Sequence, residues 1–440
     1  MSSSALGWGR FPDFPQTVNP VYWQSDVATA LRDLTTRFGN TLAYGNGRSY
    51  GDSCLASSDQ VIGTRSLNRF IDADWENGRI VAESGVTLGE LLEVCVPHGW
   101  LPPVLPGTKH VTLGGAVAND IHGKNHHVRG TFGRHVRRFG LVRSDAGAIE
   151  CSQEQNPELY RASLGGLGMT GVITWVELAL MRIRSSDVEV TEARFGSLDE
   201  FFALSRELDA AHEYAVSWMD CLATGASTGR GIYTVADHPD GGQLLPPHDG
   251  RKLRVPLTPP VSLVNGLSVR AFNSFFYRRQ ARGRVRRRLS CDAFFFPLDG
   301  LLEWNRCYGP HGFQQYQCVL PEASAAAGTR AVLQAIGSSG RGSFLMVVKR
   351  CGDLPSPGLM SFPLPGISIA VDFSQHGDLA RSLFPRLDAI VREAQGRLYP
   401  AKDAHMSGED FRRAYPGWER VQALRDPALS SRFWQRVTSE

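Results

Sequence analysis

Apolar residues recur along the first part of the chain in two periods, one helical and one alternating. Within 22–38, Val27, Leu31 and Leu34 lie about one helical turn apart, and the apolar residues of 87–98 do the same, so both ranges predict helices. Short runs rich in β-branched residues and bounded by glycine predict strands at 41–44, 60–64, 79–83, 139–143, 149–151 and 172–180. This mixture indicates an α+β fold with short strands.

The pattern changes near residue 185, where longer elements begin. Strands are predicted at 188–191, 313–320, 343–349 and 367–373, and helices at 197–210, 325–336 and 379–394. The proline- and glycine-rich range 239–260 predicts an irregular connection. An antiparallel sheet backed by helices is therefore expected. A chain of 440 residues is also too long for one ordinary core, which predicts two domains.

Composition narrows the class of protein. The net charge of +3 argues against wholesale nucleic-acid binding. No apolar run approaches the roughly 20 residues of a transmembrane helix, and the N-terminus lacks the features of a secretory signal. The eight cysteines are scattered without a Cys-x-x-Cys pair, so we expect free thiols and a cytoplasmic location.

The range 104–135 has the most unusual composition in the chain. It contains six glycines, five histidines and two lysines. Glycine costs backbone entropy, so such a run predicts backbone that approaches a ligand closely. Lysine is otherwise rare, with five in the chain, and four of them (Lys109, Lys124, Lys349 and Lys402) fall in unusual motifs. Because a compact ammonium has a tunable pKa, these lysines are candidates for chemistry.

Two glycine motifs are candidates for contacting a ligand. The loop 45–52 follows a predicted strand, and its backbone N–H groups suit a pyrophosphate, although a plain tight turn explains it too. The range 166–171 matches G-x-G-x-x-G, but the residues after it predict a strand, whereas a dinucleotide fingerprint requires a helix there. We therefore interpret its glycines as allowing close approach of a flat or phosphate-bearing ligand.

Two further clusters have alternative interpretations. Asp120, His122, His126 and His127 have metal-ligand chemistry, but Lys124 lies among them, so hydrogen bonding to a cofactor is preferred and no metal is expected. The basic run 278–288 follows several aromatic residues. It suits an anionic membrane, a nucleic acid, or simply a solvated loop.

Three stretches, 43–52, 105–127 and 167–173, together carry a family resemblance, and the string from His122 to His127 is its most specific part. Further shared motifs are Glu303-Trp304-Asn305-Arg306, Tyr308-Gly309-Pro310, Gln315-Tyr316-Gln317, and Leu398-Tyr399 with Ala401-Lys402-Asp403. On these motifs, the chain resembles the vanillyl-alcohol-oxidase superfamily of FAD-linked oxidases over nearly its whole length. It is most similar to the decaprenylphosphoryl-ribose 2′-oxidases within that superfamily.

The resemblance implies a two-domain α+β flavoprotein. Its FAD-binding domain would comprise 1–184 and the returning tail 396–440, and the substrate-binding domain would be 185–395. Arg48 stands where many relatives bind flavin covalently through a histidine, so non-covalent FAD is expected. The residues implied to contact FAD are Gly45, Asn46, Gly47, Arg48, Ser49, Tyr50, Gly51, Asp52, Ser53, Gly107, Thr108, Thr112, Gly114, Gly115, Asn119, His122, Gly168, Gly171, Ile173 and Tyr399.

The resemblance also implies the reaction. A secondary hydroxyl of a sugar would become a ketone, with hydride passing to flavin N5 while a base takes the hydroxyl proton. Lys402 is the first choice for that base, with Tyr399 and His122 as alternatives. The alternative, non-catalytic role for Lys402 is an ion pair with Asp403. The implied substrate residues are Lys124, Trp218, Gln315, Gln317, Lys349, Ser368 and Lys402.

Three functional hypotheses follow. The first is an FAD-dependent oxidoreductase for a sugar hydroxyl, one form of which is the oxidative half of an epimerisation with a separate reductase as partner. The second is a polyol or aldonolactone oxidase that uses oxygen. The third, from another class, is a binding protein that uses 278–288 on a membrane or nucleic acid.

Departures from the ribose oxidases cluster near the pocket. Ser368 and Ala370 replace asparagine and cysteine, and Asn119 replaces a cysteine. Gln314 replaces an apolar residue, and His405 stands where another basic residue is usual. Another sugar, in a natural-product pathway, is therefore a candidate substrate.

Overall fold

The computed structural model describes residues 4–247, 252–375 and 379–439. The strands are β1 (Ser4–Ala5), β2 (Gln16–Pro20), β3 (Leu42–Tyr44), β4 (Gln60–Gly63), β5 (Phe70–Asp74), β6 (Arg79–Glu83), β7 (Trp100–Leu101), β8 (Val136–Arg143), β9 (Gly147–Ser152), β10 (Val172–Ala179), β11 (Met181–Arg182), β12 (Asp187–Phe195), β13 (Tyr214–Met219), β14 (Gly231–Asp237), β15 (Leu253–Arg254), β16 (Arg284–Ser290), β17 (Leu301–Leu302), β18 (Phe313–Pro321), β19 (Met346–Cys351), β20 (Gly366–Ser374) and β21 (Arg397–Leu398). The helices are α1 (Asp26–Phe38), α2 (Leu88–Cys95), α3 (Leu113–Ala118), α4 (His126–Arg129), α5 (Pro157–Ser163), α6 (Leu198–Leu208), α7 (Gly266–Arg279), α8 (Cys291–Phe295), α9 (Ala325–Ser339), α10 (Leu379–Glu393), α11 (Gly408–Ala414), α12 (Trp418–Ala423) and α13 (Arg432–Thr438). Among the described residues, no helix is both long enough and apolar enough to cross a membrane.

The α+β class is confirmed, because helices and mostly antiparallel sheets alternate along the chain. The eight cysteines are free thiols, as expected. One element differs from the prediction. The basic run 278–288 is not the solvated loop that was one of its three interpretations, because it closes α7 and then forms β16. This strand pairs with β12 at the edge of a sheet, where Arg287 bonds Glu192 across the pair.

Three sheets lie in the described part of the chain before residue 184, the smallest being the two-stranded sheet β11-β7. The first has the order β1-β2-β4-β3, and the second is the antiparallel sheet β5-β6-β10-β8-β9. The helix α1 buries Val27, Leu31 and Leu34 beneath these strands, as their helical spacing predicts. The glycine loop 45–52 begins directly after β3, which pairs in parallel with β4.

An eight-stranded sheet dominates the residues after 184. Its order is β16-β12-β14-β13-β19-β20-β18-β21. On β20, Ile369 and Val371 pack in the core with residues of α9 and α10. Since side chains alternate along a strand, Ser368, Ala370 and Asp372 face the opposite side of the sheet.

The C-terminal tail returns to the glycine loop. After β21 pairs with β18, the backbone N–H of Tyr50 donates to Ala401 O (2.9 Å), and that of Asp52 donates to Asp403 O (3.3 Å). Arg436 of α13 then binds Asp52 through two nitrogens (2.8 and 2.9 Å) and Asp403 through one (2.8 Å). Both carboxylates are buried, so this arginine fixes the end of the chain against the loop.

Replacing Arg436 with methionine is expected to destabilise the fold by about 3 kcal/mol, because two buried carboxylates lose their shared counter-charge. Urea unfolding of the purified protein measures this change in the free energy of unfolding. The matched control is Arg413→Met, which removes a half-exposed pair with Asp410 and should change the free energy of unfolding by about 0.5 kcal/mol or less. Equal effects of the two variants would contradict the role given to Arg436.

Candidate functional site

One cavity of about 840 Å³ joins the glycine loops to the polar side of the large sheet. Its wall contains every residue predicted to contact flavin or substrate except Gly51 and Asp52. The cavity therefore brings together residues that are far apart in sequence, for example Ser53 and Lys402, which are about 350 residues apart.

Gly51 and Asp52 contact the returning tail. A Cβ at Gly51 would overlap the backbone oxygen of Asp403, so glycine is needed for the tail to approach. The Asp52 carboxylate is bound by Arg436. Both residues position the loop, and their contact with FAD stays a prediction.

The glycine loops pack directly on one another. A Cβ at Gly45 would overlap the Thr112 hydroxyl, and one at Gly47, which has a φ of 59°, would overlap the Tyr44 hydroxyl. Only glycine adopts such a backbone without strain beside so close a neighbour. Gly107 differs, because a Cβ there meets nothing within 4 Å and Gly107 borders the cavity.

Several buried polar atoms of the wall have no hydrogen-bond partner among the described residues. They include Arg48 Nε, Ser53 Oγ, Ser84 Oγ, His122 Nδ1 and Ser217 Oγ. Leaving such groups unsatisfied costs about 1–3 kcal/mol each. A ligand that carries phosphates and heteroaromatic rings would satisfy them, so the wall suits a nucleotide cofactor.

Lys402 lies in the cavity wall on the face of Tyr50, with Nζ 3.5 Å from the ring centroid. Burial lowers the pKa of Lys402 to about 7, while nearby Asp372 acts in the opposite direction. The alternative role for Lys402, an ion pair with Asp403, is wrong, because Asp403 binds Arg436 (2.8 Å) and His405 (3.1 Å) instead. Lys402 can thus lose its proton far more readily than a solvated lysine.

Asp372 was missed by sequence reasoning. It is buried, and it accepts hydrogen bonds from Gln315 Nε2 (2.7 Å) and the Tyr308 hydroxyl (3.3 Å). Burial raises the pKa of Asp372 to about 6. The sequence does indicate its position, because Asp372 follows Ser368 and Ala370 at every second residue of β20 and therefore shares their face.

The two alternative bases are poorly suited to accept a proton. Gln317 Nε2 donates to His122 Nε2 (3.1 Å), which makes Nδ1 the N–H donor of that ring. Burial lowers the pKa of His122 well below its usual value, so the ring is a neutral donor. The Tyr399 hydroxyl donates to Asn119 O (3.1 Å), and burial raises the pKa of Tyr399, which keeps it a phenol.

The other two cavity lysines are held by backbone carbonyls. Lys124 Nζ donates to Phe294 O and lies 4.3 Å from the centroid of the Phe294 ring. Lys349 Nζ donates to Gly123 O at 2.6 Å. Burial lowers the pKa of Lys124 to about 7 and that of Lys349 to about 8. Trp218, another predicted substrate residue, donates from Nε1 to Phe344 O (2.8 Å) beside them.

The residues that suggested a metal are bonded to protein groups. Asp120 accepts from the backbone of Gly133 (2.7 Å) and from Ser356 (2.5 Å), and His126 Nδ1 accepts from the backbone of Gly352 (3.2 Å). In the described ranges, no three His, Cys, Asp or Glu side chains are arranged to hold a metal ion.

Comparison with known proteins identifies the cofactor. A family model described as "FAD binding domain" matches residues 22–152. The chain is 34% identical to the decaprenylphosphoryl-beta-D-ribose oxidase of Mycolicibacterium smegmatis, over 96% of this chain and 94% of that protein. It is 32% identical to an uncharacterized protein in the mprA 5′ region of Streptomyces coelicolor (77% of this chain, 95% of that protein). It is also 30% identical to mouse L-gulonolactone oxidase, over 30% of each chain. The cofactor is FAD, and the glycine loops with their unpartnered polar atoms are the residues that would hold it.

Replacing Asp372 with asparagine should move the pKa of Lys402 below 7. The reason is that the Asp372 carboxylate is the group that stabilises the charged ammonium. Competitive acylation of Lys402 across pH, read by mass spectrometry, measures this midpoint without any substrate. As a control, Asp299→Asn removes another acid of the wall and should leave the midpoint in place. A midpoint that stays or rises in Asp372→Asn would show that Asp372 does not act on Lys402.

Gly107→Leu is expected to fold normally but to bind FAD at least about tenfold more weakly, because the new side chain enters open space at the cavity wall. The measurement is the flavin-to-protein absorbance ratio together with an FAD titration of the stripped protein. Gly241→Leu is the matched control, since its Cβ also meets nothing within 4 Å but lies away from the cavity. If both variants retain FAD equally, Gly107 does not border the cofactor.

Proposed function

Because this chain belongs to the vanillyl-alcohol-oxidase superfamily, in the family of decaprenylphosphoryl-β-D-ribose oxidase, we propose that it oxidises a secondary hydroxyl of a sugar derivative to a ketone. The protein is an FAD-dependent oxidoreductase. The proposal concerns its substrate, the residues that act on it and the place of the reaction in an epimerisation.

The observation that carries the proposal is the polar wall formed by two paired strands. Gln315 lies opposite Asp372, and Gln317 lies opposite Ala370, in the antiparallel register of β18 and β20. With Lys402 beside them, this wall offers donors and acceptors at spacings that suit a ring bearing several hydroxyls. The rest of the cavity wall is mainly apolar, so these groups determine orientation.

We propose that Lys402 is the base. FAD supplies the hydride acceptor when it is bound. Neutral Lys402 accepts the hydroxyl proton, and the resulting ammonium is stabilised by the Tyr50 ring and by Asp372. Activity should therefore rise with pH through about 7, as Lys402 loses its resting proton. Neutral His122 donates a hydrogen bond within the cavity rather than moving the proton.

The substrate is proposed to be a sugar derivative other than the one in the printed name of the mycobacterial relative. Ser368 and Ala370 face the cavity directly beside Gln317. They are smaller than the asparagine and cysteine expected at these positions, so they leave room for a differently substituted sugar. A separate reductase would return the ketone to the epimeric alcohol.

The domain division is also a proposal. Residues 1–184 with 396–440 would hold FAD, and 185–395 would hold the substrate. The separate small sheets, the eight-stranded sheet and the backbone pairing of 401–403 with the glycine loop support this division. The chain near residue 396 contacts both parts, because β21 pairs with β18 of the large sheet just before 401–403 pairs with the glycine loop. Eight free cysteines support a reducing, cytoplasmic compartment.

The second candidate is a polyol or aldonolactone oxidase with oxygen as acceptor. L-gulonolactone oxidase supports it, but the likeness spans only 30% of this chain. The deciding measurement is anaerobic flavin bleaching against sugars, sugar phosphates, lipid-linked sugars, polyols and aldonolactones, followed by admission of oxygen. Bleaching by a sugar derivative with slow reoxidation supports the main proposal. Bleaching by none of them, despite bound FAD, would refute both.

Lys402→Ala is expected to retain yellow FAD but to reduce substrate-driven bleaching by at least about 100-fold, because the hydroxyl proton loses its acceptor. Stopped-flow absorbance at the flavin band measures the rate. Lys252→Ala, which changes an exposed lysine outside the cavity wall, should bleach at the wild-type rate. Unchanged bleaching in Lys402→Ala would remove this lysine from the mechanism.

A further inference from the structure

His405 is a mostly buried residue of the returning tail, three residues after Lys402, and it lies outside the cavity wall. Its imidazole Nδ1 lies 3.1 Å from Asp403 Oδ1, and its Nε2 lies 3.3 Å from Asp388 Oδ1. Both ring nitrogens therefore face carboxylates. Since Asp388 belongs to α10, the imidazole bridges the tail to a helix that packs on the large sheet.

A bridge of this kind needs the protonated ring. A carboxylate only accepts hydrogen bonds, and a neutral imidazole has one N–H to donate, whereas an imidazolium has two. The side chains of Asp403, His405 and Asp388 are 2%, 14% and 18% exposed, so water replaces a lost hydrogen bond poorly. Burial would lower the pKa of His405, but the two carboxylates outweigh it and the pKa is raised. Geometry and charge thus agree on an imidazolium.

Two aromatic rings hold the imidazole against the large sheet. The Tyr316 ring stacks on it with 5.7 Å between centroids, and the Phe384 ring of α10 lies 4.4 Å away. Tyr316 stands on β18 between Gln315 and Gln317, so it faces the core while the two glutamines face the cavity. The Tyr316 hydroxyl also donates to Asp388 Oδ1 (2.9 Å). The imidazolium is thereby attached to the strand that forms the polar wall of the cavity.

The other charged and titratable groups around this bridge do not replace His405. Arg436 of α13 binds Asp403 and Asp52. Among the residues that the structure describes, Asp388 has no cation within 4 Å except His405. The remaining titratable groups that face the cluster have raised pKa values, which keep them neutral, and they are Tyr316, Cys318 and Tyr415.

Lys402 lies between two attachments of the tail. Before it, the backbone N–H of Tyr399 donates to Gln317 O (2.9 Å) and places the tail beside β18. After it, His405 forms the bridge to α10. The Asp403 carboxylate also accepts from the backbone N–H of His405 (3.2 Å), so ring and backbone of one residue close the turn. Losing the bridge would release one end of the turn that carries Lys402.

We propose that His405 is a positioning residue for Lys402. As an imidazolium between Asp403 and Asp388, it holds the turn that carries Lys402 against the large sheet, and this attachment loosens when the ring loses its proton. Asp388 is the carboxylate released, because Asp403 keeps Arg436. The stabilising contribution of His405 is present below the ordinary histidine pKa and is lost as the pH rises through its raised pKa. The proposal rests on the proposed role of Lys402 as the base.

The first test needs no substrate and uses the full-length, FAD-loaded protein. Deuterium exchange of the imidazole C2 hydrogen, read by mass spectrometry across pH, gives the titration midpoint of His405, which should lie above about 6.5. Backbone hydrogen exchange of 399–407, corrected for the intrinsic effect of pH, should accelerate at least about tenfold above that midpoint. His405→Arg keeps a charge at every pH and should abolish the acceleration, whereas His405→Gln should exchange fast throughout.

The second test reads Lys402 itself. Competitive acylation should find its midpoint raised by about one pH unit in His405→Gln, because a loosened turn lets water reach the ammonium, and unchanged in His405→Arg. Flavin bleaching by the most effective sugar derivative should decline on the alkaline side in the wild type but not in His405→Arg. The matched control is His212→Gln, which removes an imidazole that pairs with one, more exposed carboxylate, Asp237, and should change none of these readouts.

A His405 midpoint at or below about 6.5 would overturn the inference. So would tail exchange in His405→Gln that equals the wild-type exchange, or an equal effect of His212→Gln. Bleaching at the wild-type rate by Lys402→Ala, together with the expected exchange results, would instead refute Lys402 as the base and leave His405 as the attachment of the tail.

Discussion

The site depends on the buried contact between the returning tail and the first glycine loop. Arg436 neutralises Asp52 of the loop and Asp403 of the tail at once. Two backbone hydrogen bonds then align 401–403 against 50–52. These contacts fix the backbone on both sides of Lys402, and its side chain lies on the Tyr50 ring at the cavity wall. The proposed base, which comes from the last tenth of the chain, is thereby held at the cavity wall by contacts with the first glycine loop.

Burial lowers the pKa values of the three lysines in this cavity. The cavity wall is mostly apolar, so an ammonium there loses hydration that is only partly replaced. Lys124 and Lys349 recover some of it from the carbonyls of Phe294 and Gly123, which suits fixed donors. Among the residues that the structure describes, Lys402 Nζ meets the Tyr50 ring and the electrostatic effect of Asp372, which suits a group that must gain and lose a proton. Arginine would remain charged in all three places, which explains lysine in a chain otherwise rich in arginine.

Sequence patterns predicted the elements with strong periodicity and the motifs with unusual composition. The helix α1, the hairpin β8–β9 and the strands β18 and β20 follow directly from spacing, and the glycine loops from composition. Two features could not be predicted, for a physical reason. The basic run forms an edge strand whose arginines pair with acids 77 and 95 residues earlier in the chain, and no local pattern contains that pairing. Gly51 and Asp52 contact a tail that is more than 340 residues away in sequence, so no local pattern shows that contact either. Asp372 could have been predicted from the sequence, because it is the one acidic residue in a mostly apolar strand and shares a face with Ser368 and Ala370.

Asp372, which raises the pKa of Lys402, and Asp403, which follows it in sequence, have pKa values shifted in opposite directions, and this divides their roles. Burial alone would raise the pKa of Asp403, but Arg436 and His405 outweigh it and the pKa of Asp403 is lowered. Asp372 has only neutral hydrogen-bond donors, Gln315 and Tyr308, so burial prevails and its pKa is raised. An acid held permanently ionised is structural, whereas one poised near neutrality responds to the protonation of its neighbour. The pKa of Lys402 is therefore raised by Asp372, whereas Asp403, although adjacent in sequence, is held ionised by Arg436 and His405. His405 contributes to this as an imidazolium, and its position between Asp403 and Asp388 raises its pKa in spite of burial.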